Sequence, residues 1–254
     1  MPDHPVAARA PEALFDLEEF LTPRPPEWVR RIGVFDLETT GIDVTRDRIV
    51  TAHVGVLDET GTVIEARSWL ADPGVEIPHA AQAVHGISTA HARAHGRPAG
   101  EVVAEVSAAL SKLFAAGTPV VAYNAPYDFS LLRHEAVRHA VAPIEHPSPV
   151  IDPLVLDKAF DTYRRGKRTL SVVAEHYRVV LEDAHEAAAD AVAAGRVALA
   201  LCERYGDRLP AAVAELHTNQ IGWARSQAES LTEYFVRIGR IDPLDPVDGR
   251  WPIR

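Results

Sequence analysis

The chain has 254 residues, 47% hydrophobic and 24% charged, which suits one ordinary domain with additions and a sizeable core. Its single cysteine, Cys202, excludes an intrachain disulfide and reads as a small core residue within ALALCERY. A formal charge of −10 argues against a protein that coats duplex DNA, and no run approaches the ~18 apolar residues of a membrane span. The opening MPDHPVAARAPEAL has neither the basic start nor the apolar stretch of a secretory signal, so a cytoplasmic protein without membrane attachment is expected.

In chain order, residues 1–28 read as an N-terminal extension. Its apolar patch ALFDLEEFL either packs on the domain or docks a partner, and the prolines of TPRPPEW forbid a continuous helix. A main domain follows over 29–206. RIGVFDLET predicts a first strand, and RIVTAHVGVLD and TVIEARSWLA predict two more, joined across the hairpin signal Asp58–Gly61. IPHAAQAVHGIS is irregular or a short helix. GEVVAEVSAALSKLFAAG has helical apolar spacing and ends at a glycine. TPVVAYN predicts a short buried strand, followed by a helix through LLRHEAVRHAV, and HPSPVIDPLVL a last strand. RTLSVVAEHYRV and AHEAAADAVAAGRVALALCERY predict two helices. Residues 207–254 add an amphipathic helix, which includes QAESLTEYF, and a Pro-rich tail. This order predicts an α/β sandwich whose mixed central sheet of about five strands is flanked by helices.

Three segments carry chemistry. In Val34–Gly41, strand alternation puts Asp36 and Glu38 on one face and Phe35 and Leu37 on the other. Two adjacent carboxylates on an apolar strand repel each other unless a cation sits between them, although acids are also common where a strand enters solvent. In Tyr123–Phe129, Asn124 suits an N-cap and Pro126 a first helical turn, which puts Asp128 beside the end of the preceding strand. Taken alone, Asp128 reads as an acid favoured by the helix dipole rather than as a ligand. In Asp183–Asp190, Asp183 and Glu186 fit a capping box. That box predicts His185 in the first helical turn and Asp190 in the second, about 140° apart, so the two could converge only near the helix end.

In order and wording, FDLETTG, NAPYDFSLL and HEAAADA resemble the three motifs of DEDDh 3′→5′ exonucleases, over roughly Arg31 to Tyr205. That family has an RNase H-like fold and includes the epsilon proofreading subunit of bacterial replicative polymerase. The resemblance implies metal binding by Asp36, Glu38, Asp128 and Asp190, with His185 as general base. It further implies two Mg²⁺ or Mn²⁺ ions ~3.5–4 Å apart, one on Asp36, Glu38 and Asp190, and one bridged by Asp36 to Asp128. Mononucleotides would leave from the 3′ end of a single strand, with a polymerase or repair protein as a possible partner. Val84-His85-Gly86-Ile87 is similar to the family's HGI element over the terminal nucleotide, and Ala80 stands where the epsilon subunit has a nucleotide-binding glutamate. Contacts to the terminal sugar and base are expected from the main chain of Leu37, Thr39 and Thr40 and from His85 and Phe129. Asp152 is expected to be structural. The cluster Arg164, Arg165, Lys167 and Arg168 is either a phosphate contact or a solvated loop. Nothing in the residues separates DNA from RNA as substrate.

Overall fold

The computed structural model describes residues 26–181 and 185–254; the patch ALFDLEEFL and Asp183 lie outside them. A 3₁₀ turn, Glu27–Arg30, buries Trp28 and leads into β1 (Arg31–Thr39). β2 (Ile49–Asp58) and β3 (Val63–Asp72) follow antiparallel, joined by the expected hairpin, whose turn is tied by Asp58 Oδ1 accepting from the Thr60 and Thr62 N–H groups. Two short helices, α1 (His79–His85) and α2 (Thr89–His95), precede a two-residue strand β4 (Arg97–Pro98). Then come α3 (Ala99–Ala115), β5 (Val120–Val121), α4 (Ala125–Arg138), β6 (Val150–Ile151) and α5 (Pro153–Phe160). The chain continues as α6 (Leu170–His176), α7 (Ala187–Tyr205) and α8 (Val213–Arg237).

The sheet is mixed, in the order β4-β3-β2-β1-β5-β6, with β5 and β6 parallel to β1. It has six strands rather than five, because a strand of two residues leaves no period to read from sequence. The run HPSPVIDPLVL is a strand only at Val150–Ile151. Asp152 then accepts from Leu154 N (3.0 Å) with Pro153 in the first turn, and this start signal converts the remaining apolar residues into α5. No helix among the described residues is long and apolar enough to cross a membrane.

Each face of β1 has its own core. Phe35 and Leu37 pack with α3 and α4 residues such as Val106, Leu110 and Phe129. Ile32 and Val34 pack with Leu156, Val173 and the small residues of α7. A Cβ on Gly195 would come within 2.6 Å of both Val34 and Leu57, so the helix lies closer to the sheet than any larger residue would allow. This approach brings the first turn of α7 onto the face that carries Asp36 and Glu38.

The outer edge of β6 has no neighbouring strand, and α8 replaces one with side chains. Val150 N donates to His217 Nδ1 (3.1 Å). The fully buried Gln220 accepts from Asp152 N (2.7 Å) and donates to Val150 O (3.0 Å). An open row of backbone groups is thereby satisfied. Trp251, from the tail, is buried against the core.

Candidate active site

Three carboxylates converge: one oxygen each from Asp36, Glu38 and Asp190 lie within 4.8 Å of one another. Asp36 and Glu38 share the α7 face of β1, and Asp190 occupies the first turn of α7. Asp128, buried in the first turn of α4, stands beside them. β5 ends at Val121, so the Leu37 N–H on that side of β1 has no strand partner. Asp128 Oδ1 accepts it at 3.2 Å and is thereby fixed.

Such a cluster is electrostatically unfavourable without a cation. The Asp36 carboxyl is held well above the usual range, by burial first and then by Asp128, Glu38 and Asp190 in turn. Glu38 is pushed up to about 7, by burial and then by Asp190. Asp128 is raised by burial, against the opposing N–H donors of its own backbone and Leu37. Asp190 is raised by burial and partly restored by the His185 N–H. Hard oxygen donors that would rather be protonated than share a desolvated site fit a divalent Mg²⁺ or Mn²⁺.

The start of α7 differs from the capping-box expectation. The helix begins at Ala187, and its N-cap Glu186 makes no side-chain cap. His185 therefore precedes the helix and is exposed, with φ +75, a conformation costly for a residue with a Cβ. Asp190 moves from the second turn to the first, and the His185 N–H approaches its Oδ1 at 3.4 Å. The 140° separation no longer applies, since His185 is off the helix. Its ring lines a cavity of about 380 Å³ together with Glu38 and His85.

The other expected contacts divide. His85 ends α1, and the chain turns away at Gly86 with φ +76. Ile87 N–H donates to His85 Nδ1 (3.2 Å), which places the ring proton on Nε2, and that nitrogen is buried without a partner among the described residues. Phe129 is 2% exposed and packs on Phe35 and Phe114, at 5.3 and 6.2 Å between ring centres. Its ring belongs to the core and is not available to stack on a base. The Leu37 N–H is held by Asp128 and the Thr40 N–H by Arg48 O (3.0 Å), so neither is free for substrate. Thr40 Oγ1 donates to Asp47 (2.8 Å), and Thr39 Oγ1 to Gly41 O (2.8 Å).

Tyr127 has a part that sequence reasoning missed. Its hydroxyl donates to Gly41 O (2.6 Å) and meets Thr39 Oγ1, holding the loop after β1 in shape. Trp69 and His91 also line the cavity, with nothing in their sequence neighbourhoods to announce it. Asn124 holds the N-cap position of α4 but sits at φ +61 and makes no side-chain cap. Asp152 does this work instead, accepting from the Asn124, Ala125 and Leu154 N–H groups (3.0 Å each), which gives it the structural part expected. Arg164 and Arg168 are turned inward onto the buried Asp157, at 2.5 and 2.6 Å, which removes them from the phosphate-contact reading; Arg165 and Lys167 are exposed.

Fold and carboxylate centre together define the class, an α/β nuclease with an acidic cluster that could hold a metal ion. The chain belongs to the RNase T family, described as Exonuclease, whose model matches residues 34–198. It is 31% identical over 168 residues to the PolC-type DNA polymerase III of Lacticaseibacillus paracasei, covering 66% of this chain but 11% of that protein. To a DNA polymerase III subunit epsilon-like protein of Rhodobacter capsulatus it is 33% identical over 172 residues, covering 66% of this chain and 23% of that one. The chain thus spans about a tenth to a quarter of the length of these relatives. Among solved structures, an exonuclease I aligns with TM-score 0.60 at 22% identity, over 70% of this chain and 42% of that chain. E. coli exonuclease I solved with a dT13 oligonucleotide aligns with TM-score 0.59 at 20% identity, over 70% and 42%.

Proposed function

We propose that this chain is a divalent-metal-dependent 3′→5′ exonuclease that releases mononucleotides from single-stranded or frayed 3′ ends of DNA, alongside a polymerase or repair partner. The observation that carries the reading is the convergence of Asp36, Glu38 and Asp190 beside a cavity that also presents His85 and His185. Its relatives named for DNA polymerase III and an exonuclease I solved with a DNA oligonucleotide support DNA as substrate. Bound Mg²⁺ or Mn²⁺ would supply Lewis acidity and neutralise charge on the scissile phosphate.

The side chains divide the remaining work. Asp36, Glu38 and Asp190 would hold a first ion, and Asp128, beside Asp36, would contribute to a second. His185, on the cavity wall, takes the proton of the attacking water. His85, on the cavity wall, contacts the terminal nucleotide. Tyr127 and Thr39 hold the loop at Gly41, next to the carboxylate strand, in shape. The test compares labelled single-stranded DNA, a frayed duplex and short RNA under one condition with Mg²⁺. Faster release from either DNA supports the reading, and a clear preference for RNA assigns the site to RNA trimming instead.

A further inference from the structure

The helix that closes the sheet edge also builds a second feature. Between α8 and α5 lies a groove of about 680 Å³, walled by Lys158, Arg164, Arg168 and Arg208 on one side and by Trp223 and Tyr234 on the other. No carboxylate among the described residues lines it, in a chain whose net charge is −10. Arg164 and Arg168 are neutralised by Asp157, but Lys158 and Arg208 have no ion pair among the described residues. Arg208 instead lies over the Phe160 ring, 5.0 Å from its centre, which leaves its charge available at the groove wall. The loop beside the groove adds exposed Arg165 and Lys167, with Tyr163, 95% exposed, just before them in the chain. Lys158, Gln227 and Leu231 also line a narrower cleft of about 90 Å³ that reaches Asn124 and Pro126, at the start of the helix bearing Asp128. α8, which forms one wall, lies outside residues 34–198 matched by the family, whereas Lys158, Arg164 and Arg168 on the other wall lie within them.

We propose that this groove holds the single strand of the nucleic-acid substrate on the 5′ side of the nucleotide being removed. Lys158 and Arg208 hold phosphates, and the exposed Tyr163 and Tyr234 offer ring faces to bases, the pairing of charge and stacking that sequence-tolerant single-strand sites use. Exposed rings set among unneutralised cations favour a strand of bases over an acidic peptide, which has no planar groups to lay on them. The identity of the occupant rests on the exonuclease reading above.

The test uses the full chain with Mg²⁺ and a phosphorothioate-protected oligothymidylate of about 12 nucleotides, within single-strand site sizes of ~4–16. Affinity is read by fluorescence anisotropy across a salt series. Combined Arg208→Glu and Tyr234→Ala should weaken binding by roughly tenfold or more. The plot of log K against log salt should become shallower by ~0.7 for each phosphate that the variant no longer holds. Hydrolysis of a trinucleotide should fall less than hydrolysis of the long strand, and Arg208→Lys with Tyr234→Phe should restore long-strand binding. Wild-type affinity and salt slope in the first variant would overturn the proposal. So would a polyglutamate peptide whose binding is lost in that variant while oligonucleotide binding persists, since the groove would then be a protein site. Failure of the wild type to hydrolyse any substrate would count against the exonuclease reading, whereas the binding arm still reports on the groove.

Discussion

Replacing Glu38 by Gln should stabilise the metal-free protein at alkaline pH even as it removes activity. The Glu38 carboxyl rises from an ordinary 4.5 to about 7 on folding, through burial and then the charge of Asp190. At ~1.4 kcal/mol per pH unit that displacement corresponds to an upper bound of ~3.5 kcal/mol. Water reaches a good part of this side chain, and screening reduces the expectation to ~1–2 kcal/mol. The sign follows from linkage. A group whose pKa is raised in the folded state gives its full stability below the unfolded value and loses it as pH climbs through the folded one. The wild type should therefore match Glu38→Gln only below about pH 4.5, fall progressively behind it from there, and show the full gap above about pH 7. For a chain of this size the gap corresponds to roughly 2–8 °C in Tm. Differential scanning calorimetry in EDTA at several pH values measures it. Saturating Mg²⁺ should close the gap, because the cation removes the repulsion that glutamine relieves. A gap of constant size at every pH, or a glutamine variant that melts lower at alkaline pH, would refute this account of the cluster.

The remaining predictions concern the base and the sheet edge. His185→Ala should lose ~10²–10⁴-fold in single-turnover rate while still binding metal and oligonucleotide, and its rate should keep rising with pH as hydroxide substitutes for the missing base. Superimposable pH–rate profiles for the two proteins would remove His185 from the chemistry. Gln220→Ala strips the partners from Asp152 N and Val150 O, each a buried group costing ~1–3 kcal/mol when orphaned. Urea unfolding should report a loss of roughly 2–5 kcal/mol. A loss below ~0.5 kcal/mol would mean that α8 is not what closes the edge.

Strand β1 was legible to the residue, because alternation and a flanking glycine both mark RIGVFDLET, and Asp36 and Glu38 came with it. Asp190 was reached through the resemblance that HEAAADA carries, although its place on the helix was not. The reading of Asp183 and Glu186 as a capping box set the helix start too early, and the backbone turn at His185, with φ +75, leaves no mark in the sequence. Phe129 was ambiguous because an aromatic beside a ligand stacks on a base or on the core with equal ease, and only packing against Phe35 and Phe114 decides. The same holds for the basic cluster, whose two inward arginines depend on Asp157, a residue that nothing local singles out. Helix α5 was hidden by an apolar run short enough for either a strand or a helix. Gln220 and His217 sat unnoticed on a helix read as amphipathic, since replacing a missing strand is a tertiary task with no periodic signature.

The central claim is that a metal held by these carboxylates removes nucleotides one at a time from a 3′ end. The most direct measurement follows a 5′-labelled single-stranded oligonucleotide and a closed circle of similar length, with wild type and Asp190→Asn, in Mg²⁺ and in EDTA. The account predicts a ladder of products shortened from the 3′ end by the wild type in Mg²⁺ alone, an intact circle, and essentially no cutting by Asp190→Asn despite an unchanged fold. Cleavage of the circle, full activity in EDTA, or wild-type turnover by Asp190→Asn would contradict it.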